Sequence, residues 1–137
     1  MRLLLDTNIL LEVLLAQTRT EEAKKLLVNP AGHDLFMSDF TLHSIGVVLF
    51  RRRQPKAFRD FVKDLLLDSG ILLLALAAED TEGVVSAADA FNLDFDDAYQ
   101  YALAEKHGLM LVSFDGDFDR TTRGRQTPSQ ILSAQTQ

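Results

Sequence analysis

The chain opens with MRLLLDTN (residues 1–8), in which three consecutive leucines are followed at once by Asp6. Leu3, Leu4 and Leu5 do not alternate with polar residues, which is typical of a strand buried on both faces. A carboxylate at the end of such a strand is costly to bury alone. The stretch therefore predicts a buried strand that delivers an acid to a site shared with other polar groups.

Strands and helices alternate along the rest of the chain. Strands are predicted over residues 2–6, 35–37, 71–75 and 109–113, and helices near residues 7–16, 20–27, 38–52, 55–69, 80–91 and 94–107. This alternation predicts right-handed crossovers and an α/β fold, a three-layer α/β/α arrangement with a central, mostly parallel sheet. The 137 residues are expected to form a single domain. The phenylalanines predicted to lie in the core are Phe36, Phe40, Phe50, Phe58 and Phe61.

Composition narrows the class of protein. There is no cysteine, which excludes a disulfide framework and a thiolate metal site. The longest apolar stretch, residues 71–78, is too short to span a bilayer. The leucines after Arg2 are too few for a signal peptide, because Asp6 interrupts them. We therefore expect a soluble, cytoplasmic protein with no membrane contact.

Charge is distributed unevenly along the chain. The net charge of -6 argues against a simple basic clamp for nucleic acid. However, acids concentrate between residues 94 and 119, whereas bases concentrate between residues 51 and 63 and follow the acidic segment as Arg120, Arg123 and Arg125. These basic segments are candidates for phosphate contacts, although arginine and lysine also occur at helix ends on ordinary solvated surfaces.

Four acids are expected at one edge of the sheet. Asp6 ends the first strand, Asp115 and Asp117 follow the fourth, and Asp97 lies in the first turn of the helix before it. If the first and fourth strands are neighbours, their carboxyl ends meet, and ligands bind at that edge in such sheets. Taken singly, each acid could be a helix cap or a turn residue.

Together, crowded carboxylates repel one another, and a hard divalent cation such as Mg²⁺ or Mn²⁺ removes the repulsion. An ion of this kind commonly engages a phosphate substrate.

Three segments carry a resemblance to a known family. They are LLLDTNILLEVL (residues 3–14), DDAYQYALAEKHGLMLVSFDGDF (residues 96–118) and TPSQIL (residues 127–132). In order and spacing they resemble PIN domains, most closely the VapC-type toxins of bacterial toxin–antitoxin pairs, over residues 1–132. The resemblance implies that Asp6, Asp97 and Asp115 hold the metal and that Asp117 assists, with Asn8 and Ser113 as supporting residues.

The resemblance also implies an activity and partners. PIN nucleases of this type are Mg²⁺- or Mn²⁺-dependent endoribonucleases, which hydrolyse RNA phosphodiester bonds with a metal-activated water. They are usually homodimers, and a small antitoxin protein usually covers the acidic groove. An α/β phosphotransfer receiver is a weaker alternative, because such domains have paired acids after the first strand and a lysine after the last. Here Asp6 stands alone and no lysine follows Val112.

One residue departs from the family pattern. PIN nucleases usually carry a glutamate in the helix after the second strand, and here that segment reads SDFTLHSIGVVL (residues 38–49). The glutamate aligns on Ser44, with His43 beside it and Asp39 about one turn away. A serine hydroxyl supplies no charge. The departure leaves open a catalytically weakened or inactive PIN-like domain that binds RNA or a protein partner.

Overall fold

A computed structural model describes residues 1–28 and 32–135 of the chain. The strands are β1 (Arg2–Leu5), β2 (Asp34–Ser38), β3 (Leu72–Leu74) and β4 (Met110–Val112). The helices are α1 (Thr7–Leu14), α2 (Thr20–Val28), α3 (Asp39–Arg51), α4 (Pro55–Phe61), α5 (Thr81–Phe91), α6 (Phe95–His107) and α7 (Pro128–Gln135). A π-helical segment, Val62–Asp68, continues α4, and 3-10 turns cover Ala78–Asp80 and Gly116–Arg120. The sequence NPAG predicts a loop at residues 29–32. The first three of these residues, Asn29, Pro30 and Ala31, lie outside the described residues.

The four strands form one parallel sheet in the order β3-β2-β1-β4. β1 lies between β2 and β4, with Leu3 paired to Met110 and Leu5 paired to Val112. Val112 also forms a parallel bridge with Gln126 on its other side. The α/β class and the parallel sheet are therefore confirmed, and the first and fourth strands are neighbours, as the convergence of their terminal acids requires.

The leucines of β1 divide between two hydrophobic cores. Leu3 and Leu5 are fully buried in one core with residues of α1, α2 and α3, and Leu4 is fully buried in the other with residues of α5 and α6. Successive side chains of a strand point to opposite faces, so a strand with helices on both sides needs apolar residues at every position. This explains why the leucine run does not alternate.

Three predictions about the first half of the fold are wrong in detail. The third strand covers residues 72–74 rather than 71–75, and Leu72 at this sheet edge is 56% exposed. The helix that begins at Pro55 does not stay α-helical to residue 69, because it turns into the π-helical segment after Phe61. Phe50 is 59% exposed, because Ile45 and Leu49 define the buried face of α3 and Phe50 lies one residue away from it.

Helix ends place the acids at the carboxyl edge of the sheet. Asp6 is the N-cap of α1, and its carboxylate accepts a hydrogen bond from the Thr7 backbone N–H. Asp94 caps α6 by accepting from the Asp97 backbone N–H, and Gly108 ends that helix in the left-handed conformation at φ 65°. Among the described residues, no helix is long and apolar enough to cross a membrane.

Candidate metal centre

Asp6 is buried and held by hydrogen bonds on both carboxylate oxygens. Oδ1 accepts from the Thr7 backbone N–H at 2.8 Å and from Gln100 Nε2 at 3.1 Å. Oδ2 accepts from Ser113 Oγ at 2.7 Å and from Asn8 Nδ2 at 3.4 Å. Burial raises the pKa of Asp6, and the hydrogen bonds from Ser113, Gln100 and Thr7 act against that rise. These donors fix the orientation of the carboxylate.

Asn8 and Ser113 join the ends of β1 and β4 at this site. Asn8 Nδ2 donates to Ser113 Oγ at 3.1 Å, and Asn8 Oδ1 accepts from the Phe114 backbone N–H at 3.2 Å. Ser113 Oγ in turn accepts from the Asp115 backbone N–H at 2.9 Å. The two residues that the resemblance assigns to support therefore lie between the first acid and the acidic loop after β4.

Three carboxylates converge near Asp6 at this edge of the sheet. Asp97, Asp115 and Asp117 each offer an oxygen, and these oxygens lie within 4.8 Å of one another; Asp6 is outside that group. The Asp117 backbone N–H donates to Asp115 Oδ1 at 2.8 Å, which closes the loop after β4 into a tight turn. All four predicted acids thus lie at one edge of the sheet, and the buried Asp6 lines the same cavity as Asp97 and Asp115.

The electrostatics of the cluster disfavour its fully ionised form. Burial, followed by the negative charges of Asp115, Asp94 and Asp6 in that order, raises the pKa of Asp97 from its usual range to about 8. Asp97 is only 8% exposed, so water cannot screen this repulsion well. A divalent cation reverses the effect, because it stabilises the charged form of each carboxylate it contacts. Carboxylate oxygens are the donors that Mg²⁺ and Mn²⁺ prefer, so the residues present fit such an ion.

The raised pKa predicts how the stability of the metal-free protein depends on pH. An aspartate titrates near 3.8 when unperturbed, so between about pH 4 and pH 8 the folded chain retains a proton that the unfolded chain has lost. The free energy of unfolding should fall as pH rises through this range, by at most about 1.4 kcal/mol per pH unit from Asp97. Chemical denaturation at a series of pH values measures this slope. A slope that is equally steep in Asp97→Asn would contradict the assignment.

A cavity of about 280 Å³ opens on the carboxylates and is lined in part by Phe40 and Ser44. Ser44, on which the resemblance aligns the family glutamate, therefore lines the same cavity as Asp6, Asp97 and Asp115. His43 lines a different, apolar groove between α3 and α4. Asp39 accepts a hydrogen bond from the Tyr99 hydroxyl at 2.7 Å. Of the residues considered as replacements for the glutamate, Ser44 is the one that lines the acidic cavity.

The arginines after the acidic segment brace the fold. Arg120 pairs with Asp117 at 3.0 Å and also donates to backbone carbonyl oxygens of the α5–α6 connection. Arg123 donates to the Leu109 carbonyl oxygen at 2.9 Å. Arg125 bonds both oxygens of Asp119 at 3.1 Å and the Ser113 carbonyl oxygen at 3.0 Å. Each of these three arginines donates to a carboxylate or a backbone carbonyl oxygen of the chain, which favours a structural role over phosphate contact.

Sequence reasoning did not single out Gln100 or Thr41. Gln100 is 1% exposed, and its Nε2 donates both to Asp6 and, at 2.8 Å, to Thr41 Oγ1. Thr41 Oγ1 also contacts Thr7 Oγ1 at 2.9 Å and Ser38 Oγ at 3.2 Å. Gln100 lies three residues after Asp97 and so shares its helix face. The sequence signal that could have identified Gln100 is a polar residue on the otherwise apolar face of α6.

The chain is similar to one protein-family model and to several solved structures. The family model for the PIN domain matches residues 3–124. A toxin–antitoxin complex from Klebsiella pneumoniae contains a chain with 26% identity and a TM-score of 0.68, covering 91% of this chain and 96% of that one. VapC20 of Mycobacterium tuberculosis, described as a toxin that cleaves the sarcin-ricin loop, has 22% identity and a TM-score of 0.70, covering 85% and 92%.

VapBC-1 of nontypeable Haemophilus influenzae has 19% identity and a TM-score of 0.70, covering 94% of this chain and 99% of that one. No curated protein matches the chain in sequence.

Proposed function

Because the chain belongs to the PIN domain family, we propose that it is an endoribonuclease of the VapC toxin type that depends on Mg²⁺ or Mn²⁺. The observation that carries the proposal is the convergence of carboxylate oxygens of Asp97, Asp115 and Asp117 to within 4.8 Å at the carboxyl edge of the sheet, where the buried Asp6 lines the same cavity. The proposal treats residues 1–137 as one domain. It is supported by VapC20, whose description as an RNA-cleaving toxin accompanies the same fold.

We propose that Asp6, Asp97 and Asp115 hold the ion, with Asp117 assisting beside them. When bound, the ion polarises the phosphate, stabilises the leaving oxygen and makes a water molecule more acidic. Asp6 lines the same cavity as Asp97 and Asp115, and its hydrogen bonds to Gln100 and Ser113 fix the position of its carboxylate. Asn8 and Ser113 keep the loop after β4 in register with β1.

The remaining parts of the proposal concern partners and location. We propose a cytoplasmic homodimer that acts on RNA and is inhibited by a small antitoxin protein. The support for the antitoxin is that similar solved structures include toxin–antitoxin complexes from Klebsiella pneumoniae and Haemophilus influenzae. The acidic cavity offers such a partner a site for a basic side chain, since its carboxylates repel one another.

The direct test is cleavage of a mixed RNA pool by the purified chain, free of any partner. Cleavage is expected with Mn²⁺ or Mg²⁺ and should disappear when EDTA removes the ion, because the carboxylates alone repel the phosphate backbone. Cleavage that persists in EDTA would contradict metal dependence. Folded protein that cleaves no RNA with either ion would refute the nuclease proposal.

A second candidate function rests on Ser44. Because a hydroxyl stands where the family glutamate would face the acids, we also consider a PIN domain that binds RNA or a protein partner without cleaving. The two candidates differ in one measurable respect: the first requires that the remaining carboxylates suffice for catalysis, and the second that they do not.

Restoring the glutamate separates the candidates. Ser44→Glu should tighten Mn²⁺ binding about tenfold, because it adds a negative charge to the cavity next to the ion. Titration calorimetry measures the dissociation constant, and Ser44→Gln serves as a control of matched size without charge. If the wild type is inactive and Ser44→Glu cleaves RNA, the second candidate is correct. Equal affinities for the glutamate and glutamine variants would contradict the placement of residue 44 beside the metal.

A further inference from the structure

Three aromatic rings form a continuous strip that starts at the acidic cavity. Phe40 lines the cavity together with the acids. The ring centroid of Tyr99 lies 5.9 Å from that of Phe40 and 6.1 Å from that of Phe95. Phe95, at the outer end, is 63% exposed. We call these three residues the aromatic strip.

The strip is fixed in place by its central residue. The Tyr99 hydroxyl donates to Asp39 Oδ1 at 2.7 Å and accepts from the Leu76 backbone N–H at 3.0 Å, so its ring is tied to α3 and to the segment after β3. Phe95 and Tyr99 are four residues apart on α6, which places their side chains on one helix face. The central ring is therefore held by the protein itself, between the half-buried Phe40 and the exposed Phe95.

Charge around the strip limits what can bind there. Asp39 contacts Tyr99, and Asp96 lines the cavity beside Phe95 in the chain. Carboxylates at these positions repel phosphate groups, whereas the faces of nucleobases are uncharged and stack on aromatic rings. A ligand at the strip should therefore contact it through bases, with its phosphates held elsewhere.

We propose that the aromatic strip stacks unpaired bases of an RNA strand whose scissile phosphate lies at the acidic cavity. This inference rests on the proposed function, because the carboxylates with their ion are what would hold that phosphate. The strip begins at the wall of the same cavity, so a nucleotide next to the scissile phosphate reaches it without any change in the protein. Stacking on rings tolerates any base, and it requires that the base is not paired within a duplex.

Substitution of Phe95 tests the strip without touching the acids. Phe95→Ala should weaken binding of a short single-stranded RNA about tenfold, since stacking contributes strongly for each base. Phe95→Trp should bind like the wild type. Phe50→Ala is the matched control, because Phe50 is similarly exposed at 59% but lines the apolar groove between α3 and α4. Fluorescence anisotropy with labelled RNA, in Ca²⁺ and with RNA integrity checked on gels, gives the dissociation constants.

An abasic oligonucleotide of the same length separates base stacking from contact with the backbone. Phe95→Ala should leave its affinity unchanged, because the strip is expected to contact bases only. The inference is overturned if Phe95→Ala binds RNA like the wild type, if it weakens the abasic strand equally, or if Phe50→Ala causes the same loss.

The same measurements distinguish this inference from the proposed nuclease. A wild type that binds RNA through Phe95 but never cleaves it would refute the nuclease and retain the strip. A wild type that cleaves RNA, with no effect of Phe95→Ala on binding or on KM, would refute the strip and retain the nuclease. A wild type that binds no single-stranded RNA would refute the strip.

Discussion

Asp97→Asn is expected to reduce the rate of RNA cleavage by about 100-fold or more. The substitution keeps the size and shape of the side chain but removes a charge from the group of three converging carboxylates. Charge stabilisation of this kind, aimed at the reacting group, is commonly worth about two to three orders of magnitude in rate. The fold should survive, because the hydrogen bond from Asp97 to the cap residue Asp94 uses the backbone N–H.

Single-turnover cleavage of one RNA substrate in Mn²⁺ measures this loss. Asp89→Asn is the matched control, since it removes the same charge from an exposed position on α5 outside the converging carboxylates. The metal-free Asp97→Asn protein should also be more stable than the wild type at pH 8, because the buried carboxyl no longer has to ionise. A variant that cleaves RNA within a few-fold of the wild type would place the chemistry elsewhere.

Gln100→Met is expected to lower cleavage and metal affinity by about 10- to 100-fold, the usual effect of removing a residue that orients a metal ligand. Methionine has a similar length but cannot donate to Asp6 or Thr41, so the carboxylate loses one of its fixed donors. Stability should fall by about 1–3 kcal/mol, because buried acceptors lose a partner. Cleavage rates and Mn²⁺ titrations measure the functional part, and thermal unfolding measures the structural part.

A control is needed for simple destabilisation. Leu103→Val removes one methylene from the same helix within the core shared with Leu4, and it should cost about 1 kcal/mol without altering Asp6. If Gln100 positions Asp6, Gln100→Met weakens Mn²⁺ binding and Leu103→Val does not. Equal Mn²⁺ affinity in both variants would show that Gln100 only stabilises the fold.

The strands that carry the acids can be predicted from the sequence, because parallel sheets follow simple rules. A strand covered by helices on both sides needs an apolar residue at each position, and neighbouring parallel strands end at the same edge. Those two rules bring Asp6 and Asp115 together once the first and fourth strands are neighbours, and that adjacency is what the structure adds. The position of Asp97 follows from helix capping, since the residue that caps α6 stands three residues before it.

Other features depend on packing that the sequence does not encode locally. The hydrogen bond from Gln100 to Thr41 joins two residues that are 59 positions apart, on α6 and α3. It forms only when both helices are packed at the same edge of the sheet. The tail arginines have the same composition as a phosphate-binding segment, and only their contacts with Asp119 and backbone carbonyls show that they brace the chain. Phe50 fits a core pattern in spacing but lies off the buried face of α3.

The most direct measurement is a calorimetric titration of the metal-free protein with Mn²⁺ at pH 8. We expect saturable binding of Mn²⁺ at the acidic cavity, with the affinity lost in Asp97→Asn and retained in Asp89→Asn. Binding should also release a proton, because Asp97 with its pKa of about 8 is partly protonated before the ion arrives. Absence of saturable binding, or equal binding by wild type and Asp97→Asn, would contradict the claim that these carboxylates form a metal centre.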